Sequence, residues 1–534
     1  MEANGGRDRS VPPTGFVEKQ LAWVVLVKAM IIGLDAASPP LIERWIDRLP
    51  NLRTLYQSGT HGTLLSIVPP SSVPAWQCFA TGKNPAKIGV WGFLSIGPDR
   101  RLRHGKTTEE IGCLWDTCGK AGLRVGVFNI PGTYPPYPVN GFMVSGFPTP
   151  PGKDWAYPKD LMKRLDQTVD GYEIDVPLTK PSEMRGGEEA YLAQVERLHT
   201  KSLESAKLLL EWFKPDLFFM TLQGIDMVQH DFSRYMDRPE SEYSNVVRDW
   251  YIRLDQAVGE LREFTTPETY LLALSDHGSM PITTSFHVNE YLKAQGILKV
   301  KNRSEKKSRE IYTPLRKMIL KTLPPNAIKA VYRLTPDRIA HKLTVSAQHE
   351  RTLTRLVDSI DWSNTKAFST GGPQAAIYIN STNYNAGSLQ NPELRAELVE
   401  NLETMLGELT HPSTGERIRA VYHRREDTFQ GPYAMEAPDL AVELFGKDEK
   451  IHINITLGSG EIWTFAPHLS SEHVREGFWC MTGPGVPKNL RLDASILDLA
   501  PTLQKMLRLE VSQDVDGKIL TQLLGQAIVI HAED

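Results

Sequence analysis

The run Tyr270-Leu271-Leu272-Ala273-Leu274 constrains this chain more than any other stretch. Five apolar residues in a row are too few for a helix and lack the alternation of a half-exposed strand. They predict a strand buried on both faces, which a parallel sheet covered by helices provides. The run stops on Ser275-Asp276-His277-Gly278. In open α/β sheets ligands gather at the carboxyl ends of the strands, and Gly278 permits a turn that brings Asp276 and His277 to one point. A carboxylate oxygen with an imidazole nitrogen suits zinc or another transition metal. A helix-capping Asp beside a packed His would look the same in isolation. Recurrence along the chain decides between them.

The same design appears three more times. Met30-Ile31-Ile32-Gly33-Leu34-Asp35 is a buried-strand pattern that ends on a carboxylate. Leu217–Leu222 is another, and Asp226 and His230 follow it at i, i+4, so one helix face presents both. Phe478–Gly485 is a third apolar stretch, with His473 just before it. Between the first two lies Pro69-Pro70-Ser71-Ser72-Val73-Pro74-Ala75-Trp76. Its prolines forbid a helix through 69–74 and place Ser72 in a constrained turn, with a helix starting just after it. Free backbone N–H groups at a helix start favour an anion beside that hydroxyl, and a helix-capping serine with no chemistry has the same local pattern.

The rest of the chain supplies the layers. Leu41, Trp45, Leu49, Leu52 and Leu55 have helical spacing, broken at Pro50. Arg124–Ile130 and Phe142–Gly146 read as strands, and residues 187–213 and Ile496–Leu507 as helices. Residues 1–26 form a loosely held extension, and 299–341 a basic surface within an insertion that carries short strands at Ala376–Asn380 and Arg419–Tyr422. The expected division is a core of 27–287 and 436–534 with a cap of 288–435, the core resuming at Ala437–Leu444.

Charge narrows the partners. With 60 basic and 64 acidic residues the net charge is −4, which argues against a nucleic-acid polymer. No apolar run reaches membrane-span length. Four cysteines, none in a CxxC pair, form no disulfide framework and favour a reducing, cytoplasmic setting.

The order Ile-Gly-Leu-Asp35, Pro-Pro-Ser-Ser72-Val-Pro-Ala-Trp, Thr81-Gly-Lys-Asn-Pro, Asp226-x-x-x-His230, Ser-Asp276-His277-Gly and His473-x-x-x-Gly resembles the alkaline phosphatase superfamily. Within it, the type I phosphodiesterase/nucleotide pyrophosphatase branch is the nearest likeness. The resemblance implies a three-layer α/β fold with a mostly parallel central sheet and an inserted α+β subdomain. It also implies two divalent metal ions, usually zinc and in mutase relatives manganese. Asp226, His230 and His473 would hold one ion, and Asp35, Asp276 and His277 the other, with Ser72 as nucleophile. His468 is the rival of His473, but only His473 has a glycine four residues on.

Nucleotide pyrophosphatases carry an asparagine three residues after the nucleophile and a histidine ahead of the glycine beyond the Thr-Gly pair. Here those positions are Ala75 and Ile88, so membership is expected without nucleotide specificity. Sulfatases need an arginine that Ala75-Trp76 does not supply. With Val73, Pro74, Ala75 and Trp76 as its neighbours, Ser72 is expected to face an uncharged wall in which Ala75 and Trp76 touch the substrate, a small phosphodiester. Phosphomonoesterase, phosphomutase and catalytically silent metal-stabilised binding protein are the alternatives.

Overall fold

The apolar runs become the middle of one sheet. In the strand Ala29–Leu34 all six residues are buried. It lies parallel to Leu217–Leu222 on one side and to Tyr270–Leu274 on the other. Val125–Ile130 extends the parallel set beyond Leu217–Leu222, and Gly141–Ser145 beyond that. On the opposite flank Glu476–Thr482 runs antiparallel to Tyr270–Leu274, and Thr60–Leu65 antiparallel to Glu476–Thr482. Short edge strands complete a sheet of ten. The computed structural model describes residues 27–524 apart from 93–94, 98, 104, 150–153, 174–180, 182–183, 185, 302–344, 382–387, 390 and 466–468. The extension 1–26, nearly all of the basic segment 299–341 and the rival His468 lie outside the described residues.

Period-2 alternation sends successive side chains to opposite faces of the sheet, and both faces are covered. Phe218 and Met220 meet helices Pro50–Ser58, Gly187–Phe213 and Val246–Arg262 through Leu52, Leu55, Leu209 and Leu254. Leu217 and Phe219 meet helices Ser72–Thr81, Leu114–Lys120 and Ile496–Met506 through Trp76, Phe79, Trp115 and Leu503. Burying each such side chain contributes roughly 1.5–3 kcal/mol. A slip of one residue in any central strand would exchange the two buried faces and misfit the packing on both. The helical spacing over 41–55 splits where proline dictates: helices Pro39–Trp45 and Pro50–Ser58 each begin on a proline, the position that loses nothing by lacking an N–H.

A third apolar cluster lies in the insertion. Strands Ala367–Ser369, Ala375–Ile379, Leu440–Phe445 and Arg419–Arg424 form an antiparallel sheet there. The strands expected near 376–380 and 419–422 are present. The boundary at 436 is not where the core resumes: Leu440–Phe445 pairs with Ala375–Ile379 and Arg419–Arg424, and Leu440, Val442 and Leu444 bury into the insertion's own cluster. Six buried residues in a row are demanded equally by either sheet, so the sequence could not tell them apart. No helix among the described residues is long and apolar enough to cross a membrane.

Candidate active site

Register puts the functional positions on one edge. Leu34 pairs with Leu222 and Gly33 with Leu274, so these three parallel strands finish level. Asp35 follows the first directly, Asp276 comes two residues after the third, and Asp226 lies in the helix Gly224–Phe232 that follows the second. Beyond Asp276-His277 the chain becomes the short strand Gly278–Pro281, which pairs antiparallel with Ser471–Val474 and sets Ser279 opposite His473. His473 thus sits on its own two-stranded ribbon ahead of the last core strand. Gly278 is needed for space rather than for a special turn, because a Cβ there would lie 2.2 Å from the Glu476 carbonyl oxygen.

Ser72 is the first residue of its helix. Its Oγ lies 3.3 Å from Asp35 Oδ1 and 3.3 Å from His277 Nε2. The other oxygen of Asp35 accepts the indole N–H of Trp76 at 3.1 Å. Ala75 and Trp76 are both fully buried, so the expected substrate wall is not made by them. One helical turn past Ser72, both point into the core, and Trp76 serves Asp35 instead.

Around this hydroxyl the donor atoms fall into two overlapping groups. Asp35, Asp276 and His277 present ligand atoms within 4.8 Å of one another, as do Asp226, His277 and His473. His230 Nε2 adjoins the second group, 2.9 Å from His473 Nε2 and 3.3 Å from Asp226 Oδ1. His277 is common to both groups, and its ring stacks on that of His473 with centroids 3.8 Å apart. All six expected ligands are therefore brought together with Ser72.

The hydrogen bonds behind the imidazoles define what this centre fits. His230 Nδ1 donates to the Ser471 carbonyl at 3.0 Å, His277 Nδ1 to Gly278 at 3.0 Å, and His473 Nδ1 to Pro70 at 2.9 Å. A carbonyl only accepts, so each neutral ring keeps its lone pair on Nε2, turned inward. Asp226 Oδ1 and Asp276 Oδ2 are buried without a hydrogen bond. Inward lone pairs and unsatisfied carboxylate oxygens are a donor set that fits divalent cations.

The electrostatics agree. Burial, with Asp276 and Asp226 nearby, holds the Asp35 carboxyl well above its ordinary range. Burial likewise pushes Asp276 up to about 8. Burial also opposes the charge of Asp226, yet His230 and His473 outweigh it and hold that carboxyl well below the ordinary range. His230 is raised to about 10 despite its burial, because Asp226 faces it, so the site favours a positive charge at Nε2 that a bound ion would supply in the proton's place. Burial and His473 keep His277 well below the usual imidazole range. Two carboxylates this deep hold their charge only beside a cation.

The loop after the first strand ties the pieces together. Ala36 N donates to Asp276 Oδ1 at 3.2 Å, from a left-handed backbone with φ of 59°. Gln229 Nε2 donates to the Ala36 carbonyl, and Tyr251 OH bridges Gln229 and Ser38. None of these supports carried a recognisable sequence signal.

The fold and this centre define an α/β protein with a serine hydroxyl and two overlapping groups of candidate metal ligands at the carboxyl edge of a mostly parallel sheet. The family model of type I phosphodiesterase / nucleotide pyrophosphatase matches residues 29–365, and the chain belongs to that family, whose chemistry is phosphoester hydrolysis. Among solved structures, murine ectonucleotide pyrophosphatase / phosphodiesterase 5 aligns at 12% identity over 91% of this chain and 96% of its own, with a TM-score of 0.47. The human protein aligns at 13% identity over 93% and 98%, also with a TM-score of 0.47. A structure of the murine protein as an inactive variant in complex with AMP matches at 12% identity over 91% and 96%, again at 0.47. No curated protein sequence matches.

Proposed function

We propose that the protein hydrolyses small phosphodiesters, with Ser72 as the nucleophile and two divalent ions, zinc by preference, held by the six ligands. The observation that carries this reading is the placement of Ser72 Oγ, 3.3 Å from both Asp35 Oδ1 and His277 Nε2 at a helix N-terminus. Asp226, His230 and His473 would hold one ion, and Asp35, Asp276 and His277 the other. When bound, such ions neutralise the charge that develops on the phosphoryl oxygens and lower the pKa of oxygen nucleophiles.

The chain's own groups do the rest. With Asp35 and His277 given to an ion, the Ser72 hydroxyl loses its proton to solvent as Oγ forms its bond to phosphorus. The bond from phosphorus to the leaving oxygen breaks, and that oxygen takes up a proton. Water then attacks the Ser72 phosphoester, the bond from phosphorus to Oγ breaks, and Ser72 regains its proton. The helix N-terminus behind Ser72 favours the phosphoryl group's negative charge in both steps.

A diester is preferred because of what the site does not contain. Among the described residues, the salt-bridge partners of Asp35, Asp226 and Asp276 are imidazoles alone. A monoester dianion gains most from an added Arg or Lys, whereas a diester monoanion needs only the ions. The test is elemental analysis of protein purified without chelator, followed by kcat/KM for an aryl diester and the matching monoester on one zinc-loaded preparation. About two ions per chain and a diester preference are expected. A metal-free active enzyme would remove the metal reading, and a tenfold monoester preference, about 1.4 kcal/mol in the barrier, would remove the diester reading.

A further inference from the structure

We propose that Lys450, a residue of the insertion, is a positioning residue for His473, so that the inserted subdomain completes the metal centre. Lys450 is fully buried in the loop between strands Leu440–Phe445 and His452–Asn454. Its Nζ donates to the His473 carbonyl at 2.5 Å and to Glu443 Oε2 at 3.1 Å. Glu443 Oε1 is shared with His423 Nε2 at 3.1 Å. The other main-chain group of His473, its N–H, donates to Glu472 Oε1 at 3.1 Å, and Glu472 Oε2 meets His452 Nδ1 at 2.9 Å. Both backbone groups of one ligand residue are thus tied to charged side chains, which are in turn held by residues of the inserted sheet and its following strand.

A buried ammonium costs several kcal/mol unless it is paired, and replacing a buried ion pair by apolar residues is often neutral or stabilising. Stability alone therefore gives no reason for Lys450 to be a lysine. Its second contact does. The ammonium fixes the peptide from which the His473 imidazole projects, and that ring must keep Nδ1 on the Pro70 carbonyl while Nε2 faces Asp226 and His230. Lys450 N also donates to the Pro281 carbonyl at 3.0 Å, so the same residue grips both strands of the ribbon that carries His473.

This inference rests on the reading of His473 as a metal ligand, and its test separates the two. Zinc dissociation constants are measured by competition with a chromophoric chelator for the wild type, Lys450→Met, the double variant Glu443→Gln/Lys450→Met, and Glu449→Gln. The double variant leaves no unpaired buried charge. Glu449 ties His411 to the strand Thr284–His287 through Thr284, with no hydrogen bond to His473 among the described residues, and so controls for plain destabilisation. Lys450→Met and the double variant should bind one of the zinc ions at least tenfold more weakly, with kcat reduced and KM for the diester little changed. Glu449→Gln should keep wild-type affinity whatever it loses in thermal stability. Wild-type affinity in the double variant, or an equal loss in Glu449→Gln, overturns the positioning role. A wild-type protein that binds no zinc overturns the metal reading and this proposal with it.

Discussion

Trp76 donates its indole N–H to Asp35 Oδ2 at 3.1 Å, and it reaches that oxygen by lying across Gly33. A Cβ at Gly33 would stand 2.5 Å from the ring's Cη2 and 2.5 Å from Thr221 Cγ2. The glycine in Ile-Gly-Leu-Asp is therefore the floor under the tryptophan of Pro-Ala-Trp, and the two motifs act as one. With one oxygen of Asp35 occupied from the core side, the other is left to face Ser72 and His277.

Removing the donor should loosen Asp35 while leaving the fold. Trp76→Phe keeps an aromatic ring in the buried position and deletes only the N–H and part of the ring. The expected result is a 10- to 100-fold fall in kcat or in affinity for one metal ion, the usual scale for losing such a support. Steady-state kinetics beside a zinc titration checks this. Unchanged values in a folded Trp76→Phe would mean that Asp35 needs no such support.

Gly33→Ala should be worse than its size implies. The added methyl has no space on either side, so the strand or the indole must shift, at a cost of about 1–3 kcal/mol for an overpacked core. Activity should fall with stability, because the group displaced is the one that holds Asp35. Thermal denaturation with a turnover assay distinguishes this from a neutral substitution.

Acid should weaken the insertion's grip through Glu443. Burial alone would raise this carboxyl, but Lys450 and His423 overcome that and bring it down to about 2. A carboxylate depressed in the folded state stabilises it above the unfolded value of about 4.5, and that stabilisation disappears as pH falls through 2. The shift corresponds to about 3 kcal/mol. Chemical denaturation at several pH values should show wild type clearly more stable than Glu443→Gln at pH 7, with the gap narrowing below pH 4.5. A gap that stays constant to pH 2.5 would contradict the role of the ion pair.

The strand-end residues were legible because burial and chemistry leave different marks on a sequence. A fully buried strand is apolar along most of its length, so the carboxylates and imidazoles after Leu34, Leu222 and Leu274 stand out. The i, i+4 spacing of Asp226 and His230 is equally plain. A tryptophan four residues after a serine in a constrained turn reads as a substrate wall, but the helix beginning at Ser72 turns Trp76 inward. Lys450 left no mark at all. It lies in an ordinary loop, and its partner His473 is brought to it by a ribbon whose pairing no local pattern announces.

The central claim is that the Ser72 hydroxyl is the nucleophile, and the neighbouring Ser71 is its internal control. Ser71 precedes the helix with an extended backbone and makes no capping hydrogen bond through its side chain. The direct measurement is turnover of an aryl phosphodiester by zinc-loaded wild type, Ser72→Ala and Ser71→Ala, with metal content determined on the same samples. Ser72→Ala should lose at least 1,000-fold in kcat, about 4 kcal/mol, while keeping its metal and its fold, and Ser71→Ala should stay within a few-fold of wild type. Full turnover by Ser72→Ala, or loss confined to Ser71→Ala, would contradict the account.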